Sequence, residues 1–279
     1  MEGEAKQSGS AREMTADEIV HIVRIAVELG ISKVKLTGGE PLVREDILQI
    51  VRGIAGLPGL TDSSMTTNGT RLASLAEELH ANGLRRVNVT LPTLDKTIYG
   101  RLTGGSIEPV LEGVKAAVEA GFCPVKLNML ILRDENDHAV PEMIRFAADN
   151  GAVLQLIELE PLNITESYYS RHHKLLDGYE EILKQKAVTV ETRAYMQNRH
   201  IYCLPDVRVE TIRPTENAEF CGHCTRLRVT SDGRLKPCLM TNDSLVEVLA
   251  PMRKGASDEE LAGLFRLANL KRQPYNKTK

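Results

Sequence analysis

The sequence predicts an α/β fold built on a parallel sheet. Three observations carry this. Five strand-like runs between residues 32 and 160, the first of them the alternating Lys33–Thr37, are interleaved with helix-forming stretches as five β-then-α units. Gly- or Asn-containing turns separate the pairs, which recur at intervals of about 30 residues. Alternating strands and helices imply right-handed crossovers, and this spacing suits a closed barrel and an open doubly wound sheet equally. At 279 residues the chain can build one large α/β domain or two smaller ones.

The elements follow in order. Met1 to Met14 is polar and aperiodic and reads as a loop. Thr15 and Glu18 form a capping box ahead of Ile19, Ile22, Val23, Ala26 and Val27, and Gly30 ends that helix. Lys33 to Thr37 is a strand running into Gly38-Gly39-Glu40-Pro41. A helix over Arg44–Ala55 leads to a strand over Asp62–Thr66, and a helix over Arg71–Ala81 to a strand over Arg86–Leu91. Helices over Asp95–Arg101 and Ile107–Ala120 precede a strand over Pro124–Leu132. Asn136 is placed as the cap of a helix reaching Asp149, and Val153–Leu159 is the fifth strand.

After Pro161 the pattern changes. Asn163–Asp177 reads as a loop with a short helix, and Tyr179–Lys186 as a helix. Strand-like stretches at Ala187–Ala194, Ile201–Leu204 and Val207–Thr211 precede a cysteine-rich segment. Two helices, Ser244–Met252 and Ser257–Leu270, and a basic tail close the chain. The expected division is 1–160 and 161–279.

Composition narrows the function. A formal net charge of −3 and the absence of tryptophan argue against bulk nucleic-acid binding and a base-stacking platform. No apolar run approaches the roughly 20 residues of a membrane helix, and the start lacks a signal-peptide core, so a cytoplasmic protein is expected. Five clustered cysteines suit a reducing compartment and metal ligation.

Three of those cysteines lie in FCGHCTRLRVTSDGRLKPCLM, at Cys221, Cys224 and Cys238. A CxxC turn aims two thiolates at one point, and a third cysteine completes a face. No fourth ligand stands out: His223 lies inside the turn, and Cys203 is distant. An iron–sulfur cluster with one open iron, a structural zinc site and unligated thiols all remain open. Cys224, Arg226 and Arg228 share one side if this stretch is extended, which sets an anion site beside the thiols. Cys123 reads as a half-buried thiol, Cys203, Met65 and Met129 as core, and His172-His173 as surface.

In parallel α/β sheets, functional groups gather at the C-terminal strand ends. Here those ends carry Thr37-Gly38-Gly39-Glu40, Thr66-Thr67-Asn68, Thr90, Asn128 and Glu158 with Glu160. Lys35 and Thr37 share a face with Lys33, which reads as an exposed strand end; Lys126 shares one with Asn128. Lysines turned inward are costly unless they meet an anion, and with Arg226 and Arg228 a polyphosphate is the natural one. Neither a Walker pattern nor GxGxxG is present.

The stretches LTGGEPLVRED, MTTNGTRL, NVTLPTLD, KLNMLILRDEN, LIELEPL and FCGHCTRLRVTSDGRLKPCL, in that order, resemble the molybdenum cofactor biosynthesis protein A family. These are the radical S-adenosylmethionine (SAM) GTP 3′,8-cyclases, and the archaeal-type members are most similar. The resemblance implies an incomplete (βα)6 TIM-like barrel with a C-terminal α+β extension carrying an auxiliary [4Fe–4S] cluster. It implies conversion of GTP to 3′,8-cyclo-7,8-dihydro-GTP, which a cyclic pyranopterin synthase then consumes, and it leaves room for a homodimer. By motif, Gly38, Gly39, Glu40 and Thr90 would contact SAM. Lys35, Thr66, Lys126, Arg226 and Arg228 would bind GTP, and Cys221, Cys224 and Cys238 would hold the auxiliary cluster. Thr90 stands where the family has serine, and Glu160 where many members have methionine. The family's CxxxCxxC, which holds the SAM-cleaving cluster, does not occur in the chain. The family carries it just before a stretch like the MEGE that opens this sequence. The expectation is a barrel lacking its first strand and inactive as it stands. Alternatives are a non-catalytic GTP- and cluster-binding remnant, or another radical SAM enzyme with an auxiliary cluster.

Overall fold

The computed structural model describes residues 13–193, 197, 199–214 and 217–273. The expected N-terminal loop before residue 13 and the end of the basic tail lie outside these residues. Helix α1 (Ala16–Glu28) opens with the Thr15/Glu18 capping box. There follow β1 (Lys33–Leu36), α2 (Ile47–Ala55), β2 (Asp62–Thr67), α3 (Leu72–Ala81) and β3 (Arg86–Thr90). Next come α4 (Lys96–Thr103), α5 (Glu108–Glu119), β4 (Val125–Ile131), α6 (Val140–Asp149) and β5 (Val153–Glu158). The chain continues through α7 (Glu166–His172), α8 (Asp177–Lys186), β6 (Thr189–Arg193), β7 (Arg199–Cys203) and β8 (Arg208–Ile212). It ends with α9 (Ala218–Gly222), β9 (Arg228–Val229), β10 (Arg234–Lys236), β11 (Val246–Glu247), α10 (Leu249–Arg253) and α11 (Asp258–Leu270).

Eight strands form one sheet in the order β1-β2-β3-β4-β5-β8-β7-β6. From β1 to β8 all neighbours are parallel, and the β8-β7-β6 end is antiparallel. The sheet therefore continues across residue 160, with β8 as its sixth parallel strand. Among the described residues, no helix is long and apolar enough to cross a membrane.

The two faces of the sheet differ in chemistry. One presents Met65, Val87, Val89, Leu127, Met129, Leu154, Leu156 and Val209, all fully buried. With residues of α3, α5 and α6 such as Leu72, Val110, Val114 and Met143 they form one apolar core. Packing there is tight at Gly113 of α5, where a Cβ would come 2.5 Å from the Gly69 carbonyl oxygen. Gly69 itself has φ of +80°, a conformation that disfavours side chains.

The other face is polar. Register aligns Lys35 with Ser64 and Ser64 with Arg86. It aligns Thr66, Asn88 and Lys126, and again Thr90, Asn128, Gln155 and Glu210. Side chains alternate along a strand, so these polar residues share the face opposite the apolar core. Asn88, Lys126, Gln155 and Glu210 are nonetheless buried.

A second core joins Ile22 and Ile25 of α1 to Leu235, Val248, Leu249, Leu261 and Phe265. Arg253 donates to both Glu18 carboxylate oxygens at 2.7 and 2.9 Å, and Arg24 pairs with Asp258 at 2.8 Å. The C-terminal elements are thereby fastened to the first helix, which fixes the cysteine segment relative to the sheet.

Candidate active site

The first strand end is tied down by one carboxylate. Glu40 accepts from Leu42 N at 3.0 Å, from Thr67 Oγ1 at 2.6 Å and from Asn68 N at 2.6 Å. It thus joins the loops that follow β1 and β2. Gly38 has φ of +150°, and a Cβ on Gly38 or Gly39 would meet nothing within 4 Å. This leaves the backbone open to close approach by a ligand. Thr90 is exposed at the end of β3 and Thr66 half-buried on the polar face.

A continuous hydrogen-bonded chain crosses that face. Lys35 Nζ donates to Asn88 Oδ1 at 3.0 Å, and Asn88 Nδ2 donates to Gln155 Oε1 at 2.7 Å. Gln155 Nε2 donates to one Glu210 oxygen, and Lys126 Nζ donates to the other. Arg193 lies 3.3 Å from Glu210, and Arg86 pairs with Asp62. Burial and the charges of Arg226, Lys126, Arg86 and Arg199 push the Lys35 pKa down to about 7. Lys35 is an exposed residue of its strand, which weakens the burial contribution, while the cations around it all push the same way. Burial lowers Lys126 to about 8 against the opposing pull of Glu210.

The cysteine segment adds two more cations. Burial and mutual repulsion lower the pKa of Arg226, and burial lowers that of Arg228. Both stay protonated, so the depression marks charges held without full neutralisation. Glu160 is pushed up by burial, against Arg228, Arg226 and Arg199. The structure therefore brings Lys35, Lys126, Arg226 and Arg228 into one electrostatic neighbourhood. It adds Arg86, Asn88, Gln155, Arg193, Arg199 and Glu210, which sequence reasoning missed. The available signal was polar residues at alternate positions in strands whose other face is wholly apolar.

The expectation that Cys224, Arg226 and Arg228 lie on one extended strand is corrected, because β9 begins only at Arg228. The cysteines still share surroundings. Cys224 N donates to Cys221 O at 3.2 Å within the CxxC turn, and Arg228 interacts electrostatically with both Cys224 and Cys238. Burial raises the Cys224 thiol, but the Arg226 N–H and the Arg272 and Arg226 charges outweigh it, and its pKa is lowered. A cleft of about 360 Å³ opens beside Cys238, lined by Pro237, Thr241, Asp243, Ser244, Lys271 and Gln273. Among the described residues, no three His, Cys, Asp or Glu side chains converge as ligands of a single metal ion. Of the three cysteines, Cys224 is the one whose thiolate is favoured, and Arg228 is a cationic neighbour that it shares with Cys238.

Other single-residue readings need correction. Cys123 is exposed, and Cys203 is half-buried with Sγ 3.6 Å from Glu191 Oε1. His173 is not a surface residue; its Nε2 lies 3.0 Å from Oε1 of the buried Glu158, and its ring stacks on Tyr169. Asn136 caps no helix through its side chain. It instead accepts from Leu132 N and donates to Pro92 O and Leu130 O, each at 2.8 Å. Met65 and Met129 are core.

Residues 2–147 match the Radical SAM superfamily and residues 152–278 match Molybdenum Cofactor Synthesis C. A protein of Thermococcus kodakarensis named "Probable GTP 3′,8-cyclase" is 48% identical over 94% of this chain and 87% of its own length. Another so named, from Methanocaldococcus jannaschii, is 41% identical over 99% of this chain and 90% of its own. The chain belongs to the GTP 3′,8-cyclase family of the radical SAM superfamily.

Solved structures agree on the fold. Streptococcus suis SuiB bound to S-adenosylmethionine superposes with a TM-score of 0.63 at 17% identity. The match covers 84% of this chain and 55% of SuiB, so the cyclase-family chain spans about half the length of that neighbour. The superfamily's [4Fe–4S] cluster and SAM are therefore cofactors of the fold to which this chain belongs. The two matched families meet near residue 150, and the cation-lined face draws on both: Lys35 and Lys126 from the first, Arg226 and Arg228 from the second.

Proposed function

We propose that this chain is an enzyme of molybdenum cofactor biosynthesis, a lyase acting on GTP to form 3′,8-cyclo-7,8-dihydro-GTP. The observation that carries the reading is the polar face on which exposed Lys35, buried Lys126 and half-buried Arg226 and Arg228 lie within electrostatic reach of one another. Glu210 and Glu160 offset only part of this positive charge, and the triphosphate of a nucleotide would complete the balance. Arg226 and Arg228 grip phosphate oxygens in two-pronged fashion, Lys35 and Lys126 act as point charges, and Thr66 offers a hydroxyl. Gly38, Gly39 and Thr90 border the SAM side, while Glu40 holds the glycine loop in place through its three hydrogen bonds.

Cys221, Cys224 and Cys238 are proposed to hold an auxiliary [4Fe–4S] cluster, which would supply Lewis-acid chemistry toward the guanine base. SAM cleavage in this superfamily requires a CxxxCxxC cluster, and the 279 residues contain no such motif. No step through that cluster is assigned to these residues; within the cyclase reaction they bind and orient GTP. The finer architecture belongs to the same reading: an incomplete (βα)6 barrel contributed mainly by 1–160 and an extension from 161 onward. A cyclic pyranopterin synthase as downstream consumer and a homodimeric assembly complete it.

The test is anaerobic reconstitution of the full chain with iron and sulfide, followed by GTP titration and assay of SAM cleavage. Saturable binding of one GTP per chain is expected. A chain that takes up the cluster yet shows no GTP binding would overturn the reading.

A further inference from the structure

On the polar face a buried donor of β7 finds no partner among the described residues. Arg199, on β7, is only 8% exposed, yet its Nε has no hydrogen-bond partner. Leaving such a group unmade inside a protein is costly, so native structures keep few. The rest of the side chain is firmly held: one terminal nitrogen donates to Gln197 Oε1 at 2.6 Å. Gln197 is itself buried, its Nε2 lies 3.8 Å from Cys224 Sγ, and its backbone N donates to His223 O at 3.2 Å. The guanidinium is thus oriented from the cysteine side and presents its inner edge unpaired.

Its surroundings say what that edge meets. Arg199 interacts electrostatically with Arg226, Glu210, Arg193 and Cys224. Lys35 and Glu160 in turn feel the charge of Arg199. It therefore lies within electrostatic reach of Lys35 on the parallel strands and of Arg226 in the cysteine segment. A third guanidinium amid like charges is a poor structural element and a good anion clamp.

We propose that Arg199 is a further substrate-binding residue, whose Nε–H donates to a polyphosphate oxygen, with Gln197 as its positioning residue. This rests on the GTP reading above and deepens it by assigning the phosphate end of the ligand to β7. It also gives the chain a mechanical link: the residue that touches phosphate is oriented by one that touches a cysteine of the cluster set.

The experiment compares wild type, Arg199→Gln and Arg199→Lys as reconstituted full chains, titrated with GTP, guanosine and inorganic tripolyphosphate at fixed salt. Arg199→Gln is expected to weaken GTP and tripolyphosphate by about tenfold or more, as loss of a charge-assisted hydrogen bond does, and to leave guanosine unchanged. Arg199→Lys keeps a charge but not the fork, and is expected to fall between. Melting temperature is measured alongside. Equal losses for guanosine and tripolyphosphate would show a structural or base-facing role and overturn the proposal; so would unchanged tripolyphosphate affinity in a folded variant. A wild type that binds tripolyphosphate but not GTP would overturn the nucleotide reading while the Arg199 comparison still decides the anion claim. A wild type that binds neither would overturn both.

Discussion

Lys126 of β4 and Glu210 of β8 form an ion pair across the polar face, with side chains only 5% and 2% exposed. Two strands, β4 and β8, that are separated by β5 in the sheet are thereby joined through their side chains. Glu210 also accepts from Gln155 and faces Arg193 at 3.3 Å, so a single carboxylate serves three donors. Removing one partner of a buried pair strands the other, and this sets the first prediction.

Glu210→Gln should cost about 3 kcal/mol in unfolding free energy, read by urea denaturation at pH 7. A change under about 0.5 kcal/mol would show that the pair carries little. The pH dependence has a definite sign. Burial pushes the Glu210 carboxyl up, but Lys126 and Arg193 outweigh it and its pKa is lowered. Its stabilisation is present above the usual carboxylate range and is lost as pH falls through the folded value.

The lysines behave in the opposite sense. Their folded values, about 7 for Lys35 and about 8 for Lys126, lie below that of an unfolded lysine. Between these values and about 10.4 the unfolded chain binds more protons, so stability rises with pH. Lys35→Met and Lys126→Met should each flatten that rise, Lys35→Met from the lower pH. An unchanged slope in Lys126→Met would contradict the assignment.

Glu40→Gln should cost about 2 kcal/mol, because its amide nitrogen takes the place of one carboxylate oxygen and sets its N–H against a backbone donor, that of Asn68 or that of Leu42. Urea midpoints and the exchange rate of the Asn68 amide read this directly. An amide still protected in the variant would place the loop's support elsewhere.

The cysteine set is tested by iron content. Alanine at Cys221, Cys224 or Cys238 should reduce bound iron after anaerobic reconstitution from about four per chain to near zero. Alanine at Cys123, which is exposed, or at Cys203, on β7, should leave it unchanged. One zinc per wild-type chain in place of iron would refute the cluster.

Much of this was legible in the sequence, for physical reasons that differ by residue. The strands β1 to β5 were readable because strand-like runs such as Lys33–Leu36 and Arg86–Thr90 alternate and the helices between them close on Gly or Asn turns, as at Gly30 and Gly83. That β6, β7 and β8 extend the same sheet was not, since the pairing of Ile157 with Ile212 lies far apart in sequence. Lys35, Lys126, Arg226 and Arg228 stood out because charge inside a strand or beside cysteines is costly. Asn88, Gln155, Arg199 and Glu210 did not, because a polar residue at alternate strand positions also describes a solvated face. Only the register shows that these four share the buried face. His173 and Asn136 were misread for a related reason: their partners, Glu158 and the Pro92 carbonyl, are contacts of the folded chain rather than of a local pattern.

The central claim, that the crowded cations of the polar face receive a polyphosphate, is tested most directly by the protons that GTP binding moves. With Lys35 near 7 and Lys126 near 8 in the free protein, both are largely neutral at pH 8.5. A bound triphosphate favours their charged forms, so binding should take up about one proton per GTP. Calorimetric titration at pH 8.5 in two buffers of different ionisation enthalpy measures this. The account predicts a buffer-dependent heat with net proton uptake that is lost in Lys126→Met combined with Lys35→Met. GTP binding with no buffer dependence in the wild type would contradict it.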